Sequence, residues 1–214
     1  TGVATQIVRP EGADAGALRD ESAADPGKPE PRSYVPSLAA ANFGVFVALL
    51  TPVMVSMAFK VQHITNPEQA PAMLGMVLGI GALFALVANP LFGRLSDRTT
   101  SRLGMRRPWI VGGSIVGFLA LLTIGATQSI WIVLLGWCIA QVAFNGVLAA
   151  VNATLPDQVP AQRRGKASGI VGITTPLGIL GGTFLVNFIA DDLPRFVVPA
   201  AIGLAMAILF ALFL

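Results

Sequence analysis

Charge is what this sequence lacks most. Only 12% of its 214 residues are Asp, Glu, Lys or Arg, while 54% are hydrophobic; soluble domains carry about 25% charged residues. Cysteine is down to one, Cys138, inside an apolar run. One thiol excludes an intramolecular disulfide, and no metal-ligand spacing surrounds it, so Cys138 reads as a small packing residue. Histidine is also down to one, His63, at an outer loop position where it is expected to be solvated. No His, Asp or Glu cluster of the kind membrane enzymes carry at one leaflet is present, so no catalytic residue, metal site or cofactor is expected, and the chain is not read as an enzyme. Its 14 basic residues are spread over several loops without interleaved aromatics, which sets aside nucleic acid as a partner.

What is abundant is long apolar sequence. Six spans run over Ser37–Phe59, Met73–Phe92, Trp109–Ala126, Ile130–Val151, Gly169–Ala190 and Phe196–Leu214. Each suffices to cross a hydrocarbon core of roughly 30 Å. In lipid the backbone must satisfy its own hydrogen bonds, so these spans are helices. The chain is an all-α membrane protein whose bilayer is its first partner. Residues 1–36, containing "GADAGALRDESAADPGKPEPRS", have no hydrophobic period and too little apolar surface to fold alone. They are expected to form a disordered tail, and they lack the apolar core of a signal peptide.

Basic residues set the orientation. The tail has Arg9, Arg19, Lys28 and Arg32; the second connector has Arg94, Arg98, Arg102, Arg106 and Arg107; the fourth has Arg163, Arg164 and Lys166. The other connectors have Lys60, none, and Arg195. This alternation predicts that the tail, the even connectors and both chain ends are cytoplasmic. The chain opens on Thr1 and its last span stops at "AILFALFL" without a polar anchor, as a piece of a longer protein would.

The second connector, "GRLSDRTTSRLGMRRP", holds one acid among its arginines. Orientation needs no acid. A carboxylate at the membrane edge can join a charged network that forms in one conformation and breaks in another. Gly93, Asp97, Arg98, Gly104, Arg106 and Arg107 resemble the loop motif between the second and third helices of major facilitator superfamily transporters. The spacing is longer than the general form, with Thr99 to Leu103 between Arg98 and Gly104, and Met105 stands where the longer form often has another Arg. That longer form is similar to sucrose–proton symporters and the related glycoside–pentoside–hexuronide–cation symporters. "NATLPDQVPAQRRGKASG", Asn152–Gly169, resembles the loop after the fourth helix of the same transporters.

The resemblance covers Val35 to Leu214 and implies the N-terminal six-helix half of a major facilitator fold, working by alternating access around a central cavity. It further implies a missing C-terminal six-helix half, a small-molecule substrate, a sugar on this branch, a proton or sodium coupling ion and a bacterial inner membrane. Drug or metabolite efflux on the same fold is the alternative, and a non-transport membrane protein the second. Span five, "GIVGITTPLGILGGTF", is only faintly similar to the antiporter motif, because Gly181 and Gly182 fall too late after Pro176.

Polar residues inside a span are functional candidates because lipid makes them costly. At about 100° per residue, Asn145 lies about 40° and Asn152 about 20° from Gln141, so all three share one face. Gln141, Asn145 and, on span one, Asn42 are the substrate-binding candidates; helix–helix adhesion is the competing role. Asp157, Arg163 and Arg164 form a second inner-loop cluster expected to reach Asp97 or Arg98. No Asp, Glu, Lys or Arg lies in the interior of any span, so a coupling carboxylate would lie in the missing half, or the protein is a facilitator.

Overall fold

The computed structural model describes residues 33–101 and 104–214. The tail up to position 32 and Arg102 lie outside the described residues. Six helices follow in order: α1 (Tyr34–Ile64), α2 (Ala70–Arg98), α3 (Arg107–Ala126), α4 (Ile130–Gln158), α5 (Ala161–Asn187) and α6 (Asp192–Phe213), each long and apolar enough to cross a membrane. Among the described residues there is no strand.

Several helices outrun their apolar spans. α1 begins at Tyr34, so the end of the expected tail is helical. The expected loop Asn152–Gly169 is mostly helix: α4 runs to Gln158 and α5 starts at Ala161, with only Val159 and Pro160 between them. Hydropathy marks where lipid ends, whereas a helix continues until a residue such as Pro160, without an N–H, interrupts its hydrogen bonds. α1 also continues past Phe59 and carries Lys60 and His63 inside the helix. Midway it holds a π-helical turn, Pro52–Ser56, in which the Met57 N–H donates to the Pro52 carbonyl. Pro52 has no N–H to give, and the wider turn absorbs the mismatch.

The packing repeats itself. α1 packs on α5 and α6, α4 packs on α2 and α3, and α3 packs on α6. Exchanging α1–α3 with α4–α6 leaves this list unchanged. Three spans per repeat make the two repeats run in opposite senses through the membrane. α1 and α4 are the most buried spans, while α2 and α5 leave rows of large apolar side chains uncovered, such as Leu83, Leu86 and Val87 on one and Leu180 and Phe184 on the other. Leu38, Val45, Trp137, Phe144 and Val147 form the centre of the core.

Close approach of α1 and α5 depends on Gly182. A methyl there would fall inside van der Waals contact of the Thr51 hydroxyl, which is fully buried and has no hydrogen-bond partner among the described residues. Gly182→Ala should therefore destabilise the bundle by about 1–3 kcal/mol, read as a lower melting temperature in detergent. Adding Thr51→Ala should recover much of the loss; a double variant no better than the single would place the strain elsewhere.

Candidate functional site

α2 ends with Ser96, Asp97 and Arg98, and the chain then turns back. Gly104 makes the turn with φ +94°, the left-handed region that glycine enters without steric cost. The turn delivers Arg106 to the start of α3, where its side chain is only 11% exposed.

Arg106 is the hub of this corner. Its Nη1 pairs with Asp97 Oδ1 at 2.5 Å and donates to Ser96 Oγ at 2.7 Å. Its Nη2 and Nε donate to Asp157 Oδ2 at 3.3 and 3.4 Å. One planar guanidinium thus joins the end of α2, the start of α3 and the end of α4, a task suited to its fixed fork of donors. Ser96, fully buried, donates to the Gly93 carbonyl at 2.9 Å. A second link runs alongside: Trp109 Nε1 donates to Thr99 Oγ1 at 2.8 Å, and Phe92 meets the Trp109 ring edge-on with centroids 5.3 Å apart.

The expected pairing of Arg98 with Asp157 is corrected here. Arg98 is exposed and makes no ion pair among the described residues. Asp157 is taken by Arg106 instead. Gly93 lies inside α2, and a Cβ there would meet open space, so it is neither a turn residue nor a site of close approach within this chain. Arg107 is half-buried, again without an ion-pair partner among the described residues. Arg164 does other work: its Nε donates to the Val159 carbonyl at 3.0 Å and its Nη2 to the Pro156 carbonyl at 2.9 Å. A cation on these terminal carbonyls closes the end of α4. Arg163 lies on the exposed side of the first turn of α5.

Within the membrane, Asn145 Nδ2 donates to both the carbonyl and the Oε1 of Gln141, at 2.8 and 3.0 Å. Gln141 is 8% exposed and Asn145 half-buried, and their pairing leaves the Gln141 amide N–H groups and Asn145 Oδ1 for other partners. Asn42 is sealed at 0% exposure; its Nδ2 donates to the Leu38 carbonyl and its Oδ1 has no donor among the described residues.

The opposite end of the bundle holds a cluster that no local pattern announced. Lys60, fully buried, donates to the Gly125 carbonyl at 3.1 Å and pairs with Asp192 Oδ2 at 3.3 Å. His63 Nδ1 lies 3.1 Å from Asp192 Oδ1, so the expected solvated loop histidine is a half-exposed helical residue with a carboxylate partner. Arg195 lies 4.2 Å over the Phe59 ring. Near the basic end, Tyr34 and Thr154 hydroxyls meet at 2.6 Å, tying α1 to α4. Residues 132 positions apart give a sequence reader no spacing to follow.

A profile of the Major Facilitator Superfamily matches residues 37–214. The multidrug resistance protein MdtG of Dickeya zeae is 32% identical over 158 residues, covering 74% of this chain and 37% of that protein. The lactose permease of Lactobacillus helveticus is 29% identical over 152 residues, 67% of this chain and 23% of the permease. An uncharacterized symporter of Synechocystis sp. is 52% identical over 53 residues, 24% of this chain and 10% of that protein. The chain spans about two fifths or less of the length of these relatives.

Proposed function

Since this chain belongs to the Major Facilitator Superfamily, a family of transporters and not of enzymes, we propose that it is the N-terminal bundle of a secondary carrier moving a sugar or glycoside across a bacterial inner membrane. The basic end, with the Arg106 corner, faces the cytoplasm in this reading, because membrane proteins place their Lys and Arg on that side. A second six-helix bundle outside this chain completes the central cavity.

The observation that carries the proposal is the Arg106 hub. Asp97 is 59% exposed although bound to Arg106, so one side of its carboxylate points away from its own bundle. A carboxylate held in place yet open on one side can accept hydrogen bonds from a facing bundle in one state and lose them in the other. The bundle itself stays intact, because the bonds that hold Asp97 all lie within it. Rigid-body rocking around a central site needs such a surface.

For the substrate, the Gln141–Asn145 pair offers donors and an acceptor together, the combination that sugar hydroxyls require. Asn42 joins them when α1 shifts enough to open its buried Oδ1. Drug efflux is the second reading, favoured by the longer match to MdtG. Uptake by the complete protein in proteoliposomes separates the two. Labelled glycosides should accumulate when a proton or sodium gradient is applied, and dilution of the gradient should abolish the accumulation. Gradient-driven movement of lipophilic dyes, with no glycoside uptake, would favour efflux.

A further inference from the structure

We infer that the start of α6 is a second clamp, the counterpart of the Arg106 corner at the far end of the bundle, and that it presents Asn187 to the second bundle when the outer side is closed. The inference rests on the carrier reading above and names the residues that close its other side. It does not depend on which solute is carried.

Exchanging the two repeats sends the end of α2 to the end of α5, the start of α3 to the start of α6, and the end of α4 to the end of α1. Because the repeats run in opposite senses, a corner at the basic end has its counterpart at the opposite end. Polar contacts tie these helices together there too. Arg195, in the first turn of α6, donates from Nε to the Ile189 carbonyl, just after α5, at 2.6 Å. It also stacks on Phe59 of α1, and its own carbonyl accepts from Ser56 Oγ at 3.3 Å. Asp192, the first residue of α6, holds Lys60 and His63 of α1. An arginine and an aspartate thus join α5, α6 and α1, as Arg106 joins α2, α3 and α4.

Asp97 ends an exposed row on α2 that runs through Leu83, Val87, Pro90 and Arg94. Steps of four and three residues keep such a row on one face of a helix. On α5 the same steps run through Ile173, Leu177, Leu180 and Phe184, all exposed, and end on Asn187. Asn187 is exposed as well, and it is the last residue of α5, two positions before the carbonyl that Arg195 holds. Its amide both donates and accepts. An apolar row with a polar tip, held in place by a clamp behind it, fits a facing helix end that offers a hydroxyl, an amide or an open backbone group. The second bundle is the occupant; MdtG has length for one, since this chain covers only 37% of that protein. Closing the two ends in turn calls for one such tip at each, Asp97 inside and Asn187 outside.

Labelling of Asn145→Cys by a membrane-impermeant maleimide tests this, in the complete protein free of other cysteines and held in right-side-out vesicles. Asn187→Ala should raise the rate of labelling from outside at least threefold, because the outer side then closes less. Asn187→Lys should raise it further, and Asn187→Ser should keep part of the closure. Arg195→Gln should also raise it, by releasing the end of α5. Asp97→Asn, which loosens the opposite corner, should lower it. Asn187 is exposed, so the melting temperature of Asn187→Ala in detergent should match that of the parent. Outside labelling untouched by the Asn187 variants, as a lipid-facing side chain would give, would overturn the inference; if Asp97→Asn still lowers it, the carrier reading stands. Labelling from neither side in any variant would overturn the carrier reading and this inference with it.

Discussion

Lys60→Met should be the most destabilising single substitution in this bundle. Lys60 is fully buried, and its ammonium joins α1 to the last turn of α3 through the Gly125 carbonyl and to the first turn of α6 through Asp192. Methionine keeps the length of the stem and removes the charge. Asp192, whose side chain is 15% exposed, then keeps only His63 among the described residues. Removing one partner of a buried pair costs about 3–5 kcal/mol, because the remaining charge is stranded. The lower end of that range applies, since Asp192 retains His63 and some contact with solvent. The measurement is thermal unfolding in detergent. Asp192→Asn in the same chain should restore most of the loss, because it removes the stranded charge. If Lys60→Met melts like the unaltered protein, the pair does not hold these helices together.

The second large effect is on transport. Arg106→Gln should lower uptake more than tenfold while costing only about 1 kcal/mol of stability, since its carboxylate partners are partly exposed and solvent screens them. Two things happen together when the guanidinium is lost. Asp97 and Asp157 no longer share a cation, and Ser96 loses its donor. Asp97 is then free to rotate away from the position that a facing bundle would meet. Arg106→Lys should be intermediate: it keeps the charge but cannot serve three acceptors from one planar group. Equal losses of uptake and of folded protein would mean that Arg106 matters only for stability.

The fold was legible because lipid leaves so few choices. An apolar run of such length must be a helix, and six runs with alternating basic connectors give the bundle its order. The ends of the helices were not legible in the same way. Residues Ala161–Ser168 are mostly polar, so hydropathy hands them to a loop, yet they form the first turns of α5. The charged corner was half legible. Its acid and its arginines stand in one short connector, but their pairing depends on a turn. The second inner-loop cluster was expected to reach Asp97 or Arg98, whereas the left-handed Gly104 brings Arg106 between Asp97 and Asp157. The opposite end could not be read at all. Lys60 and Asp192 lie at the ends of separate spans, and only the packing of α1 on α6 makes them partners. Within the membrane, helical spacing put Gln141 and Asn145 on one face, and they do bond to each other, but spacing gave no sign that Asn42 is sealed.

The central claim is that the connector's lone acid gates a carrier and is no mere companion to an anchor. Asp97→Asn tests it most directly, because the amide keeps the size of the side chain and removes its charge. Uptake of labelled glycoside should be compared in proteoliposomes holding equal amounts of correctly inserted complete protein. The initial rate should fall at least tenfold with membrane insertion unchanged. Uptake at the unaltered rate would contradict it and leave the arginines as an anchor alone.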